Sequence, residues 1–150
     1  DGYLNKTVAE DWSALRQEAM TLLQEESALQ EIVSLVGIDA LSEKDRLKLE
    51  VSKSIREDYL QQNGFHEIDT YTSLDKQYKM LKLVLLFRKE AERALEVGVY
   101  LDKILGLEVR DKIARSKYIH EDDIAKMDDI AAELRADIDT LINEGGVLNA

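Results

Sequence analysis

Residues 74–97, LDKQYKMLKLVLLFRKEAERALEV, predict one long helix at the centre of the protein. The segment is apolar nearly all round between Met80 and Phe87, and a helix with this pattern is normally buried. A threonine and a serine precede the segment, and either side chain can cap its first turn. Gly98 follows the segment, and a glycine at this position favours the end of the helix. The rest of the chain is therefore expected to pack around this helix.

Three helical stretches are predicted upstream of the central helix. The first spans about residues 11–26, and a capping box at Ser27 starts a second stretch that ends at Gly37. Ser42 can cap a third helix, which begins at the next residue. Residues 64–73 then form a loop. Apolar residues recur every four positions on the third helix, which predicts a buried stripe made of Leu47, Val51, Ile55 and Tyr59.

Three more helices are predicted downstream. Residues 101–105 and 107–118 form two short helices separated by Gly106, and residues 121–144 form the last one, ending at Gly145-Gly146. The sequence offers no strand candidate, internal repeat or long linker, so we predict one all-α domain over residues 1–150, a helical bundle of about six or seven helices. The last helix carries an apolar seam for lengthwise packing, made of Ile124, Met127, Ala131, Leu134, Ile138 and Leu141.

The composition limits the classes of function. The chain has no cysteine and no proline, which removes disulfides and thiolate sites and favours helix throughout. A formal net charge of −11 argues against nucleic acid or an anionic lipid surface as a direct partner. No apolar run approaches the ~18–20 residues that cross a bilayer, so no direct membrane insertion is expected. Because the sequence opens with Asp1 and lacks an initiator methionine, we interpret it as a fragment of a longer subunit.

No constellation in the sequence predicts catalysis or metal binding. Neither a G-x-x-x-x-G-K-[ST] phosphate loop nor a G-x-G-x-x-G motif occurs. His66 and His120 lie apart and lack the E-x-x-H or H-E-x-x-H spacing, which argues against a carboxylate-metal bundle enzyme. The acidic run at residues 121–123 suits the positive end of a helix. We therefore expect no catalytic residue and no metal ligand in this chain.

Charge is distributed unevenly near the C-terminus. Residues 121–144 carry nine acidic and two basic side chains, whereas residues 101–119 carry five basic and three acidic ones. One interpretation is a solvated acidic helix with a short basic helix against it. The other is a docking face for another subunit. Exposed charge is the norm in proteins, which favours the first interpretation.

Two segments are less ordinary than the rest. Residues 32–45, IVSLVGIDALSEKD, combine a helix end, a glycine stop, a short turn and a capped helix. Residues 58–66, DYLQQNGFH, are typical of a helix end followed by a phenylalanine, Phe65. That ring could plug the core of the bundle, or it could stack on a planar ligand supplied from elsewhere.

These segments resemble the catalytic subunits of rotary ATPases. Residues 39–45, DALSEKD, are similar to the D-E-L-S-E-E-D loop of the beta subunit of F-type ATP synthases. Residues 55–71, IREDYLQQNGFHEIDTY, resemble the C-terminal helical domain of the catalytic A subunit of V-type and archaeal-type ATPases, in its prokaryotic branch. Further similar stretches extend the resemblance over nearly the whole chain, at residues 15–20, 22–26, 76–82 and 109–115.

The resemblance implies a division of labour within a longer subunit. In that family the phosphate loop and the catalytic glutamate and arginine lie in a nucleotide-binding domain, which would precede this chain. ATP or ADP with magnesium would bind to that domain, and the helical domain would hold no cofactor of its own. The helical domain swings as the site opens and closes, and its tip bears on the central rotor stalk. By similarity, the tip comprises Asp39, Ala40, Leu41, Ser42, Glu43, Lys44 and Asp45.

The resemblance also implies a nucleotide contact and a set of partners. Phe65 is similar to the family residue that packs against adenine, and the small Gly64 beside it leaves room for the base. The implied partners are the B subunits and the central-stalk subunits of an ion-translocating ATPase, on the cytoplasmic side of the membrane. The alternative, from another class, is a free-standing acidic helical adaptor that binds a partner helix in a groove.

The predicted tip departs from the F-type loop at two positions. Ala40 and Lys44 stand where that loop has glutamates, so this tip is less acidic. A mechanism based on acid–base attraction to the stalk is therefore less suitable than a steric one. In the steric mechanism a short turn, held rigid by two packed helices, pushes the rotor by contact while its charges tune the fit.

Overall fold

The computed structural model describes residues 6–60 and 74–148, and this part of the chain is all-α. Its six α-helices are α1 (Lys6–Val36), α2 (Glu43–Ser54), α3 (Leu74–Glu96), α4 (Leu101–Leu105), α5 (Glu108–Ala114) and α6 (Lys126–Leu148). Shorter turns accompany them, namely 3₁₀-helices at Ile38–Ala40, Arg115–Tyr118 and Glu121–Asp123 and a π-helix at Ile55–Leu60. The prediction of a helical bundle with six or seven helices is confirmed.

Helix α3 lies at the centre of the bundle. It packs against α1, α2 and α6, and it also contacts the short helices α4 and α5. A helix that is apolar on all sides is removed from water only when other helices cover it. This explains why the helix that was predicted to be central lies in the middle of the bundle. The apolar stretch that carried the prediction is buried at Met80, Leu81, Leu83, Val84, Leu85 and Phe87.

Helices α1 and α2 pack side by side. The Ser52 hydroxyl, which is buried, donates a hydrogen bond of 3.2 Å to the Leu22 carbonyl of α1. This bond satisfies the buried Ser52 hydroxyl, and it fixes the position of α2 along α1. The side chain of Tyr59 lies outside the described residues. The other members of the predicted stripe are confirmed as buried, namely Leu47, Val51 and Ile55.

Helix α6 packs lengthwise on α3 and α5. The seam predicted for it is confirmed from Met127 onward, since Met127, Leu134 and Ile138 are buried and Ala131 and Leu141 are half-buried. Ile124 is also half-buried but lies before α6. An ion pair also joins α6 to α5, because Lys112 Nζ lies 2.7 Å from Glu133 Oε1. α5 itself carries two acidic and two basic side chains, so the excess of basic residues in 101–119 lies outside this helix.

The helix break predicted at Ser27 is wrong, because α1 continues from Lys6 to Val36. Ser27 is exposed, so water can satisfy its hydroxyl without a new helix starting there. Leu22 and Leu29 are both buried, and their spacing of seven residues keeps them on one face of a continuous helix. Packing of this face therefore outweighs the local capping signal.

Helix boundaries in the C-terminal half also differ from the predictions. Residues 107–118 form α5 followed by a 3₁₀-helix, and α6 begins at Lys126 after a separate 3₁₀-turn. The predicted end at the glycine pair is wrong, because α6 continues to Leu148. A Cβ atom at Gly145 would lie 3.7 Å from Val99 Cγ2, so this glycine packs against the turn after α3. Such packing opposes the roughly 1 kcal/mol by which glycine disfavours a helix interior.

Candidate functional site

The predicted tip is a tight turn between α1 and α2. α1 ends at Gly37, whose φ of 96° is the left-handed conformation that glycine adopts without strain. The Gly37 amide donates a hydrogen bond of 2.9 Å to the Val33 carbonyl, and a single 3₁₀-turn follows. Ser42 then caps α2, with its Oγ accepting from the Asp45 amide at 3.1 Å. The glycine stop and the serine cap are thus both confirmed.

The seven predicted tip residues differ in exposure. Leu41 is buried and anchors the turn in the bundle. Glu43 and Asp45 are half-buried at the start of α2. The surface of the turn is formed by the exposed members of the set, Asp39, Ala40, Ser42 and Lys44.

Glu43 binds a neighbouring helix of its own chain. Its Oε2 accepts a hydrogen bond of 2.5 Å from the backbone amide of Leu101, the first residue of α4. The residue before it, Tyr100, makes no side-chain cap bond to α4, so Glu43 supplies the acceptor that the helix start lacks. This carboxylate therefore holds the turn after α3 against the tip.

Three charged residues of α2 next to the tip also take part in ion pairs within the chain. Lys48 Nζ lies 3.0 Å from a Glu25 carboxylate oxygen of α1 and 3.9 Å from Asp45 Oδ1. Arg46 lies 3.6 Å from Asp102 of α4. These pairs join α2 to the helices on both sides of it. Asp45 is engaged by Lys48 and Glu43 by the Leu101 amide, which leaves fewer acidic groups for an acid–base contact with a partner.

Replacing Glu43 by alanine should lower the free energy of unfolding by about 1.5–3 kcal/mol, the range for a hydrogen bond to a charged group. The reason is that the Leu101 amide loses its acceptor. Urea unfolding of the 150-residue chain measures the change. Lys44→Ala is the matched control, because its exposed side chain should change stability by less than about 0.5 kcal/mol. Equal effects of the two substitutions would contradict the capping role.

A cluster of exposed apolar side chains borders the turn, and this exposure was not predicted from the sequence. We call Leu35, Val36 and Ile38 the tip patch; their exposed fractions are 76%, 68% and 42%. Grouped exposed apolar residues mark interaction sites more often than single ones do. A signal was present in the sequence, because residues 32–38 are apolar at five of seven positions and one helix face cannot bury them all.

The two residues of the predicted adenine contact, Gly64 and Phe65, lie outside the described residues. The structure describes the chain on both sides of them, up to the π-helix Ile55–Leu60 and again from the start of α3. The π-helix is tied to α1, because Arg56 Nη2 lies 2.6 Å from Glu26 Oε2. A π-helical turn is rare and is found often at functional sites.

The described residues show neither a metal cluster nor a membrane span. Within residues 6–60 and 74–148, no three acidic or histidine side chains are grouped so that they could hold a metal ion. No helix in that part is both long and apolar enough for a bilayer. His120 has a structural role, since its Nδ1 accepts a hydrogen bond of 3.1 Å from the Asp122 amide.

Comparison with known proteins gives the family. Residues 1–105 match the family model described as the C-terminal domain of V and A type ATP synthase. The chain belongs to this family. The resemblance of residues 55–71 to the C-terminal domain of V- and archaeal-type catalytic subunits is therefore confirmed. The tip turn described above is part of a V/A-type C-terminal domain.

Individual relatives agree with the family. The chain is 73% identical over 151 residues to the V-type ATP synthase alpha chain of Clostridium botulinum (strain Eklund 17B / Type B), an alignment that covers 100% of this chain and 26% of the relative. It is 72% identical over 148 residues to the protein of the same name from Clostridium perfringens (strain SM101 / Type A), covering 99% of this chain and 25% of the relative. The V/A-type domain described here therefore spans about a quarter of the length of these relatives.

Proposed function

We propose that this chain is the C-terminal domain of the catalytic subunit of a rotary, ion-translocating ATPase, where it couples ATP hydrolysis or synthesis to rotation of the central stalk. The observation that carries the proposal is the tip, where the tip patch is exposed at the turn between two packed helices, α1 and α2. In the intact subunit, ATP or ADP with magnesium would bind in the preceding domain. The partners would be the B subunits and the central-stalk subunits, on the cytoplasmic side of the membrane.

The contacts around the tip favour a steric mechanism of coupling. α1 and α2 are joined by the Ser52–Leu22 hydrogen bond and by the pair between Lys48 and Glu25, so the turn between them is braced on both sides. The acidic groups that would attract a basic stalk are partly engaged, because Glu43 caps α4 and Asp45 lies near Lys48. The exposed tip patch can instead transmit force by direct contact, which needs no specific charge.

The second part of the proposal concerns the nucleotide. Phe65 packs against adenine in the intact subunit, and Gly64 leaves space for the base. A π-helical turn directly before this segment supports a functional role for it. The chain itself contributes no catalytic group, so its effect on the reaction is to set nucleotide affinity and to pass on movement. The adaptor alternative is disfavoured, because the two relatives described above are named as alpha chains of a V-type ATP synthase.

The test of the nucleotide contact is Phe65→Ala in the intact complex. We expect the apparent KM for ATP to rise roughly fivefold or more, because stacking of a base on an aromatic ring contributes about 1–3 kcal/mol. Steady-state ATP hydrolysis measures KM and kcat separately. Phe65→Tyr is the control, since it keeps the ring and should keep KM near its original value. An unchanged KM in Phe65→Ala would reject the adenine contact.

A further inference from the structure

A groove runs along α3, between α1 and α6. Both flanking helices pack on α3, which forms the floor of the groove. The groove consists of two adjoining clefts of about 470 and 200 Å³, which share Lys82, Leu86 and Arg135. Leu15 of α1 and Ala131 of α6 line its two sides. None of the lining residues belongs to the tip, so the groove is a separate surface of the bundle.

The groove carries an excess of positive charge, although the chain as a whole is acidic. Five basic and three acidic side chains line it, whereas the formal net charge of the chain is −11. All three acids already pair with a basic neighbour at 3.0–4.0 Å, namely Glu18 and Glu92 with Arg88, and Asp128 with Lys79. The positive charge that remains therefore belongs to the other three basic residues of the groove.

Those three residues are Lys82, Lys89 and Arg135, and all are exposed. Lys82 Nζ donates a hydrogen bond of 3.3 Å to the Tyr78 hydroxyl, which leaves the charge of the lysine in place. Within the described part of the chain, none of the three forms an ion pair. At physiological ionic strength charges beyond about 8 Å are largely screened, so a group in the groove senses these cations more than the net charge of the chain.

The spacing of the lysines on α3 defines the shape of a partner. Lys82 and Lys89 are seven residues apart, about 10 Å along the helix axis, and Leu86 lies between them on the same face. A second helix beside α3 repeats its side chains with the same period, so two carboxylates seven residues apart can meet both lysines. On an extended chain, side chains of one face recur about every 7 Å, which does not match this spacing.

We propose that the groove is the docking site for an acidic amphipathic helix of another subunit of the same complex. The helix presents two carboxylates to Lys82 and Lys89 and an apolar residue to the half-buried Leu86 between them. Charge complementarity and the matched period favour this occupant. The inference rests on the part of the proposed function that places the chain in a multi-subunit ATPase, and it does not depend on the tip or on Phe65.

The experiment is photo-cross-linking in the intact complex. Benzoylphenylalanine in place of Leu86 puts a photo-reactive group between the lysines and leaves the cations unchanged; the exposed Lys82 is the second position if this variant does not assemble. Mass spectrometry then identifies the attached peptide. We expect a peptide of a different subunit with two acidic residues seven positions apart and an apolar residue between them. A peptide without this pair, a second copy of this chain, or no cross-link overturns the proposal.

Charge reversal tests whether the lysines carry the contact. Lys89→Glu should lower the yield of the cross-link about tenfold or more, because like charges that face each other across an interface oppose docking. Lys89→Arg keeps the charge and should keep the yield. The matched control is Lys53→Glu, which reverses an exposed lysine of α2 outside the groove and should also keep the yield. An unchanged yield in Lys89→Glu, or an equal loss in Lys53→Glu, overturns the proposal.

Loss of assembly in Lys89→Glu is resolved by a compensating change. A lysine in place of the facing carboxylate of the cross-linked peptide restores the pair in reverse order. Recovery of assembly and of the cross-link in this exchanged complex supports the docking site, and failure to recover them overturns it.

These outcomes are distinct from failure of the proposed function. If the complex assembles and couples ATP hydrolysis to ion transport, but the group at Leu86 attaches to no other subunit, the proposed function stands and the docking site is overturned. If the unaltered chain joins no complex with other subunits, the proposed function and the docking site that rests on it are both overturned.

Discussion

Deleting Ile38–Ala40 should uncouple the intact complex while ATP hydrolysis continues. The three residues form the 3₁₀-turn at the start of the tip, and at about 2 Å per residue their loss shortens the turn by roughly 6 Å. Contact forces fall steeply once surfaces separate by about 1 Å, so the number of ions transported per ATP should drop to roughly a tenth or less. Ion transport and ATP hydrolysis, measured on the same reconstituted membranes, give this ratio.

Alanine substitutions at the tip test whether its acidic side chains are as important for coupling as the length of the turn. Asp39→Ala combined with Asp45→Ala should leave the ratio of ions to ATP within about twofold of the original value, since the steric mechanism needs no acidic group at the tip. Glu43 is excluded from this set because its replacement removes the cap of α4. Strong uncoupling by the two alanines, with the complex fully assembled, would reject the steric mechanism in favour of charge attraction.

Replacing Leu134 by alanine should produce the largest loss of stability of any variant considered. Leu134 is 0% exposed on the seam of α6, where a truncated side chain leaves a cavity. Leucine-to-alanine changes at such positions cost about 2–5 kcal/mol, and each kcal/mol lowers the Tm of a domain of this size by roughly 2–4 °C. Urea unfolding gives the free energy, and thermal unfolding followed by circular dichroism gives the Tm.

Leu35→Ala is the matched control, because the same chemical change is made at a side chain that is 76% exposed. It should alter the free energy of unfolding by less than about 0.5 kcal/mol. In the intact complex it should nevertheless reduce coupling, since Leu35 belongs to the tip patch. A stability loss similar to that of Leu134→Ala would show that Leu35 is part of the core, and normal coupling would remove it from the contact surface.

The sequence was sufficient to predict the features that depend on local structure. An all-round apolar stretch predicted that α3 is central, and a repeat of four predicted the buried face of α2. Gly37 and Ser42 predicted the limits of the tip, because a left-handed residue and a side-chain cap are properties of a few adjacent residues. The same local reasoning failed at Ser27 and Gly145, where packing overrides a capping signal or a helix-breaking residue.

The family was also within reach of the sequence, because residues 55–71 carry a pattern that is specific to it. Their roles were given only through the resemblance. No property of Phe65 as a residue distinguishes a ring that plugs a core from one that stacks on a nucleotide. That distinction depends on atoms from another domain, so it stays a prediction for the KM measurement.

What the sequence by itself determined is therefore the helical bundle, the boundaries of the tip and the family. The tertiary structure alone decided which apolar residues at the tip are exposed and which charges are already paired. Glu43 meets the Leu101 amide 58 residues away, and Lys117 meets Asp58 and Lys76 at separations of 59 and 41 residues. Periodicity and capping report only on neighbours along the chain. Contacts between distant residues depend on how whole helices pack, and a single sequence carries no local signal for them.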